Sequence, residues 1–205
     1  MSAAPLEQEF KFRLTLREWK KLAELGRRQS SLSQTNHYFD VLPALPFARS
    51  GVGVRVRKQN TQYVFTVKMP APGSKKGYHV KREWEARLTP ARALAAIKGK
   101  INVGKFKNAP GRALQKNAKT LPLPLLKRIG QMKNTRLKLK YPGGLSLELD
   151  KFSIGSKWYY EAECETTTPA ADLKKIKALW KAAKIPLRRE SQSKLKRFLL
   201  SLRTR

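Results

Sequence analysis

Residues 5–14 read PLEQEFKFRL, and their side chains alternate in character from one position to the next. In a β-strand, successive side chains point to opposite faces. One face would carry the charged set Glu7, Glu9, Lys11 and Arg13, and the other the largely apolar set Leu6, Gln8, Phe10, Phe12 and Leu14. The segment therefore predicts a strand with one apolar face and one face that collects both signs of charge.

The same alternation recurs along the chain between Gly, Pro and Asn residues. It predicts eight strands, near residues 5–13, 35–40, 52–59, 62–69, 78–88, 134–141, 144–150 and 158–166. Turn signals at Asn60-Thr61 and Pro142-Gly143-Gly144 favour antiparallel neighbours. Helical spacing predicts helices at 16–25, from 90 to about 98, near 121–130, from 169 onward, and in the terminal SKLKRFLLSL.

Two arrangements fit strands that each have a charged and an apolar face. The commoner one is an antiparallel sheet with its charged face in water and its apolar face under helices. Alternatively, eight strands close into a barrel that is wide enough for a ligand. With helices outside such a barrel, the charged faces would point inward and line a lumen that needs an occupant.

The distribution of acidic residues indicates that the charged faces of the strands have a functional role. The chain has 45 Lys and Arg against 14 Asp and Glu, a formal net charge of +31. Nine of the 14 acidic residues fall in four groups with a spacing of two: 7/9, 83/85, 148/150 and 161/163/165. A polyanion alone would be repelled by carboxylates, whereas Mg²⁺ or Mn²⁺ binds carboxylates and phosphate oxygens together. This pattern indicates a metal-bound polyphosphate.

Length and composition set the remaining bounds. A chain of 205 residues suits one domain, which we expect to span 1–205. Its single Cys164 excludes an intramolecular disulfide, and no apolar run is long enough for a membrane span. We expect a cytoplasmic protein that is a monomer or a weak dimer.

Several short motifs resemble one known superfamily. Glu7-x-Glu9-x-Lys11 is similar to the ExExK signature of the CYTH superfamily, the triphosphate tunnel metalloenzymes. The segments NHYFD, VRVRK, FTVK, REWE, NTR, LELD, YYEAECET and SQSKL follow in order across nearly the whole chain. Together they resemble in particular the small plant and bacterial tripolyphosphatases, which carry a similar YEIECE-type strand.

The resemblance implies an α+β fold in which an eight-stranded antiparallel tunnel is packed inside a layer of helices. It implies Mg²⁺ or Mn²⁺ held by Glu7, Glu9, Asp150, Glu161 and Glu163, although the pair Glu163/Glu165 also satisfies the spacing of the last strand. The implied triphosphate-binding residues are Lys11, Arg55, Arg57, Lys68, Lys81, Arg136 and Lys194. Among these residues, Lys11 and Arg57, together with Glu163, are the implied catalytic groups.

The implied reaction is hydrolysis of the terminal phosphoanhydride, with water activated by a second metal or by a carboxylate. Class IV adenylate cyclases carry an extra His-Phe pair before the acidic motif, where this chain has only residues 1–6. Vertebrate-type thiamine triphosphatases place an aromatic residue where this chain has Gly53. Both departures favour inorganic triphosphate, with thiamine triphosphate or another organic triphosphate as the alternative.

The family does not account for the surplus positive charge. Residues 86–147 contain 15 Lys and Arg and no acid, which indicates either deliberate supercharging or natural extreme basicity. A basic surface predicts non-specific binding of nucleic acid or polyphosphate, and a binding protein with little catalysis is the competing function.

Other conspicuous side chains have ordinary structural explanations. We expect His37 and His79 not to bind metal, because neither has the spacing of a His site. We expect Cys164 to pack against apolar neighbours. The aromatic residues Trp158, Tyr159, Tyr160 and Trp180 are expected in the core or as barrel cover rather than as a base-stacking platform.

Overall fold

The fold is known from a computed structural model that describes residues 5–102, 105–117 and 125–202. Its nine strands are β1 (Leu6–Leu14), β2 (Arg27–Asp40), β3 (Gly53–Gln59), β4 (Gln62–Pro70), β5 (Tyr78–Leu88), β6 (Lys100–Asn102), β7 (Leu125–Lys140), β8 (Ser146–Ile154) and β9 (Lys157–Glu165). Its helices are α1 (Leu16–Leu25), α2 (Pro46–Arg49), α3 (Pro90–Lys98), α4 (Ala109–Asn117), α5 (Pro169–Ala182) and α6 (Lys194–Leu202).

Eight of these strands close into an antiparallel barrel. Their order is β2-β3-β4-β5-β1-β9-β8-β7, and β7 pairs with β2 to complete the ring. The short strand β6 pairs only with the start of β7, over Leu125–Lys127. The barrel with helices outside confirms the fold that the alternating segments and the family resemblance predicted.

The long pair β2–β7 departs most from the sequence-based prediction. The predicted helix near 121–130 is wrong for residues 125–130, which begin β7, while residues 121–124 lie outside the described ranges. β2 starts at Arg27 rather than near residue 35, and the two strands pair from Arg27↔Lys140 to Asp40↔Lys127. The polar first half of β2 has no apolar period, so its pairing is dictated by the partner strand.

Helices cover the apolar faces of the strands on two sides. The residues Val54, Val56 and Phe65 pack under α3 and α4 in one buried cluster. Phe12 lies in a second cluster with Trp180 of α5, their rings 5.1 Å apart. The apolar side chains at alternate strand positions are therefore buried between the barrel and its covering helices. The charged side chains at the positions between them point into the lumen.

Helix α6 lies across one end of the barrel. Phe198 stacks on Tyr38, with ring centroids 5.4 Å apart, and joins a buried cluster with Met132 and Phe152. Gly130 makes this approach feasible, because its φ is +155° and a Cβ there would lie 2.3 Å from the Phe198 ring. The bulge at Tyr38/Phe39 and the opposed Gly130 thus make room for Phe198 and position α6, which begins with Lys194.

Among the helices that the structure describes, none is long and apolar enough to cross a membrane.

Candidate active site in the lumen

The lumen is the cavity enclosed by the eight strands, about 2200 Å³ in volume. Eleven Lys and Arg residues line it: Lys11, Arg55, Arg57, Lys68, Lys81, Arg82, Arg112, Lys116, Arg136, Lys138 and Lys194. Its acidic lining comprises Glu7, Glu9, Glu83, Glu85, Glu148, Glu163 and Glu165. All seven predicted triphosphate-binding residues therefore face one cavity.

Glu163 is the hub of the charge network in the lumen. Its carboxylate lies 2.8 Å from Lys11 Nζ, 2.6 Å from Arg136 Nη2 and 2.6 Å from Lys194 Nζ. Three cations from β1, β7 and α6 thus converge on one buried carboxylate, and among the described ion pairs it is the only acid that all three contact. These groups gather close together only because the barrel is closed.

Lys194 separates the open lumen from a sealed acidic pair. Asp150 and Glu161 lie at directly opposed positions of β8 and β9 and are 0% and 1% exposed. The Nζ of Lys194 lies 2.8 Å from Asp150 Oδ2 and 3.0 Å from Glu161 Oε2. Neither residue lines the cavity, so two of the five predicted metal ligands sit behind this lysine rather than beside the others.

A second group of charges lies between β1, β3, β4 and β5. Lys68 Nζ is 2.6 Å from Glu7 and 2.7 Å from Glu83, whose carboxyl groups also share a hydrogen bond. Arg55 Nη2 lies 3.3 Å from Glu83, and Arg57 Nη2 lies 2.9 Å from Glu85. Each of these three bases therefore holds a carboxylate that would compete with bound phosphate.

The pKa shifts divide the lumen acids into two kinds. Burial opposes ionisation of Glu9, but Lys11, Lys81 and Lys68 together outweigh it and lower the pKa of Glu9 to about 2. The same balance, with Lys11 and Lys194 as the main partners, holds the pKa of Glu163 well below its usual value. Burial instead raises the pKa of Glu7 and of Glu161. Glu9 and Glu163 are thus firmly anionic, whereas Glu7 and Glu161 gain protons more readily.

Like charges also perturb the bases. The pKa of Arg57 is lowered to about 10, chiefly by the neighbouring guanidinium of Arg55. Burial lowers the pKa of Lys81, and the cations Lys11 and Lys68 act in the same direction. Such crowding of positive charge is what a bound polyanion would relieve.

The acidic residues supply oxygen donors that match a hard divalent cation. Both carboxylate oxygens of buried Glu161 lack an aligned hydrogen-bond donor, and the neighbouring carboxyls of Glu7 and Glu83 crowd together. Within residues 5–102, 105–117 and 125–202, however, no three His, Cys, Asp or Glu side chains group as a metal site. The donor set fits Mg²⁺ or Mn²⁺ chemically, but Lys and Arg hold these carboxylates in the arrangement seen here.

Sequence reasoning missed two residues at the sealed end. Asn134 donates its amide to Asp150 at 2.9 Å, and Arg197 Nε lies 3.5 Å from Glu161. A signal for Arg197 existed, because it follows Lys194 by three residues and so shares its helix face. For the last strand, the structure buries Glu161 and Glu163 and leaves Glu165 exposed at the rim of the cavity.

The structure confirms some expectations about the cysteine and the aromatic residues and corrects one of them. Cys164 and Trp180 are buried in the apolar cluster, as expected. His79 contacts the Glu190 carbonyl oxygen at 2.9 Å. Trp158 is the correction: it is 56% exposed on the outside of β9 rather than part of the core.

The chain belongs to the CYTH domain family, whose family model matches residues 5–199. No curated protein matches the chain by sequence. Among solved structures, the chain is similar to the Hippeastrum protein HpAC1, for which a dominant triphosphatase activity is described. The two sequences are 25% identical over 95% of both chains, and the TM-score of the two structures is 0.82.

Two further structures share the fold. A Bacillus halodurans protein has a TM-score of 0.74 at 22% identity, covering 96% of this chain and 99% of its own. A Pyrococcus horikoshii protein has a TM-score of 0.57 at 17% identity, covering 93% and 98%.

Proposed function

We propose that this protein is a metal-dependent triphosphatase that hydrolyses the terminal phosphoanhydride of inorganic triphosphate. The observation that carries the proposal is the convergence of Lys and Arg side chains, eight of them paired with carboxylates, in one cavity of a closed barrel. Such a ring matches a compact polyanion with several phosphates better than it matches a neutral or monoanionic ligand. The triphosphatase activity of the Hippeastrum relative, with which this chain shares its fold and family, supports the reaction class.

The basic residues would bind and orient the phosphates. Arg55, Arg57 and Lys68 lie together on β3 and β4, and Lys11, Arg136 and Lys194 surround Glu163. On binding, phosphate oxygens would take over contacts that Glu83, Glu85 and Glu163 make to these cations. The released carboxylates would then be available to the metal, so substrate and metal binding would support one another.

Glu7, Glu9 and Glu163, which line the cavity, would hold the metal. Asp150 and Glu161 would complete the donor set once phosphate draws Lys194 away from them. When bound, Mg²⁺ or Mn²⁺ would polarise phosphate oxygens and offset their charge. Water oxygen would attack the terminal phosphorus, the P–O bond to the bridging oxygen would break, and pyrophosphate would leave with that electron pair. The proton lost by water would pass to a carboxylate or to the leaving oxygen. Lys11 and Arg57 would stabilise the charge that develops on the transferred phosphoryl group and on the leaving oxygen.

The wall near β3 favours a substrate without an aromatic group. Gly53 lines the cavity two positions before Arg55, and a Cβ there would lie 3.3 Å from Leu195 of α6. No side chain at this position can stack on an organic ring, so thiamine triphosphate or a nucleoside triphosphate is the second candidate. An alternative function of a different class is suggested by the basic exterior: the protein would bind polyphosphate or nucleic acid without hydrolysing it.

The test is phosphate release from tripolyphosphate, ATP and thiamine triphosphate, with Mg²⁺ or Mn²⁺ and with excess chelator. We expect fastest hydrolysis of tripolyphosphate and none in chelator. Glu9→Gln should abolish hydrolysis because it removes a buried anionic donor, whereas Glu24→Gln, on the exposed face of α1, should not. Undiminished turnover in chelator would exclude the metal, and absent turnover on every substrate would favour a binding protein.

A further inference from the structure

One part of the barrel exterior is polar, basic and bare. Opposed positions on four neighbouring strands place Ser33, Thr135, Lys151 and Tyr160 in one row. On the same faces of these strands and of β3 lie Thr35, Lys58, Lys133, Ser153 and Trp158. Helix α1 packs on one end of this surface, which we call the outer face, through Trp19 against Tyr160. The rest of it is open, and Ser33, Lys58, Lys133, Thr135 and Trp158 are all exposed.

The side chains of the outer face point away from the lumen. Their sequence neighbours Gln34, Asn134 and Arg57 line the cavity, and alternate residues of a strand face opposite sides. With strands about 4.8 Å apart, the row from β2 to β9 spans about 14 Å. The outer face is therefore a site distinct from the candidate active site, with the barrel wall between them.

Trp158 is the unusual feature of this surface. A large aromatic ring that is 56% exposed is seldom left on a polar sheet face without a partner. Lys151 Nζ lies 4.7 Å from its ring centroid, which fixes a cation beside a stacking surface. Serine and threonine hydroxyls fill the space between this ring and the other lysines.

Charge identifies the class of occupant. Among the described ion pairs, none joins Lys58, Lys133 or Lys151 to a carboxylate, so all three cations are available to an anionic partner. A second copy of this chain, with a net charge of +31, would be repelled. A membrane surface would need more apolar side chains than one tryptophan. Cations combined with an exposed aromatic ring are what proteins use to bind single-stranded nucleic acid, by holding phosphates and stacking a base.

We propose that the outer face binds single-stranded nucleic acid, with an unpaired base stacked on Trp158 and backbone phosphates held by Lys58, Lys133 and Lys151. The contact is independent of sequence, since stacking and phosphate pairing suit any base. It adds an aromatic contact to the diffuse attraction that the basic exterior exerts on every polyanion, so it discriminates single strands from duplexes and from polyphosphate.

The test is the affinity of the full-length protein for a fluorescein-labelled 12-nucleotide RNA, measured by anisotropy. Trp158→Ala should weaken binding about tenfold, and Trp158→Phe, which keeps an aromatic ring, should retain most of it. Neither variant should alter the affinity for inorganic polyphosphate or for an RNA duplex, because those ligands offer no free base. Circular dichroism would verify that both variants are folded.

A charge-matched pair of triple variants separates the outer face from general basicity. Replacing Lys58, Lys133 and Lys151 with Ala should lower the slope of log Kd against log salt by about 2. Replacing Lys174, Lys177 and Lys181, which are exposed on α5, removes the same charge and should change the slope less. Three outcomes would each overturn the proposal. The two triple variants could have equal effects, the RNA affinity could be unchanged in Trp158→Ala, or binding of anionic lipid vesicles could depend on Trp158 as strongly as RNA binding does.

Discussion

The lumen and the exterior of this barrel use acidic residues in opposite ways. Inside, carboxylates alternate with Lys and Arg, and among the described residues every lumen carboxylate except Glu165 at the rim has an ion pair with at least one base, as Glu163 has with three. Burying a charge is costly unless it is paired, so an unbalanced lumen would not fold well. The balance also means that a ligand must exchange with the internal carboxylates before it binds the bases.

Outside the lumen only five acids remain, and four of them have a structural task. Glu18 completes the capping box of α1, and Asp40 accepts backbone N–H groups at α2. Asp172 accepts from Thr166 and Thr168, and Glu190 pairs with Arg197. Elsewhere the exterior is basic, which water and salt tolerate. Acids are thus present mainly where a specific contact requires one.

The sharpest way to break this comparison is to remove the hub of the lumen. Glu163→Gln leaves the buried cations Lys11, Arg136 and Lys194 without their common anion. We expect the free energy of unfolding to fall by about 3–5 kcal/mol, measured by urea denaturation. Tripolyphosphate, which supplies negative charge to the same cations, should raise the Tm of the variant more than that of the wild type.

Arg57→Ala is the matched control, because it removes charge of the opposite sign from the same lumen. The low pKa of Arg57 reflects repulsion by Arg55, and its partner Glu85 is half-exposed and also bonded to Thr66. Stability should change by less than about 1 kcal/mol while tripolyphosphate binding weakens. A loss of stability like that of Glu163→Gln would show that the bases are structural.

A smaller effect is expected from Asp40, a buried acid that lies outside the lumen. The Asp40 carboxylate accepts from the backbone N–H groups of Val41, Phe47 and Ala48, at 2.7, 3.2 and 2.7 Å. Asp40→Asn places an amide N–H₂ against one or more of these donors and should cost about 1–2 kcal/mol in urea denaturation. Tripolyphosphate affinity should not change; a parallel loss of affinity would mean that the exterior acids also shape the lumen.

The sequence predicted the barrel well because period-2 alternation and family motifs occur together in each of its eight strands, although in β2 and β7 only over the second half. It failed where pairing is imposed by a partner: the first half of β2 and residues 125–130 have no apolar period of their own. The site residues were found by motif and parity, yet the motif does not reveal that Asp150 and Glu161 are sealed behind Lys194. That arrangement depends on how α6 crosses the barrel end over Gly130. The exposure of Trp158 was missed because an aromatic residue in a strand is usually buried.

The smallest expected effect concerns two lysines of the lumen, Lys81 and Lys68, whose pKa values are shifted in opposite directions. Burial and the nearby Lys11 and Lys68 lower the pKa of Lys81, whereas Glu83 and Glu7 outweigh burial and raise the pKa of Lys68. As pH rises, Lys81 therefore loses its proton below the ordinary lysine value of 10.5, while Lys68 keeps its proton past that value. The affinity of the wild type for tripolyphosphate, measured calorimetrically without metal, should fall as pH increases from 7 to 10, because Lys81 and also Arg57, whose pKa is about 10, begin to lose protons in this range. Lys81→Arg stays protonated across this range and should flatten the decline, and Lys68→Arg should leave it as in the wild type. The same decline in both variants would assign the pH dependence to another group.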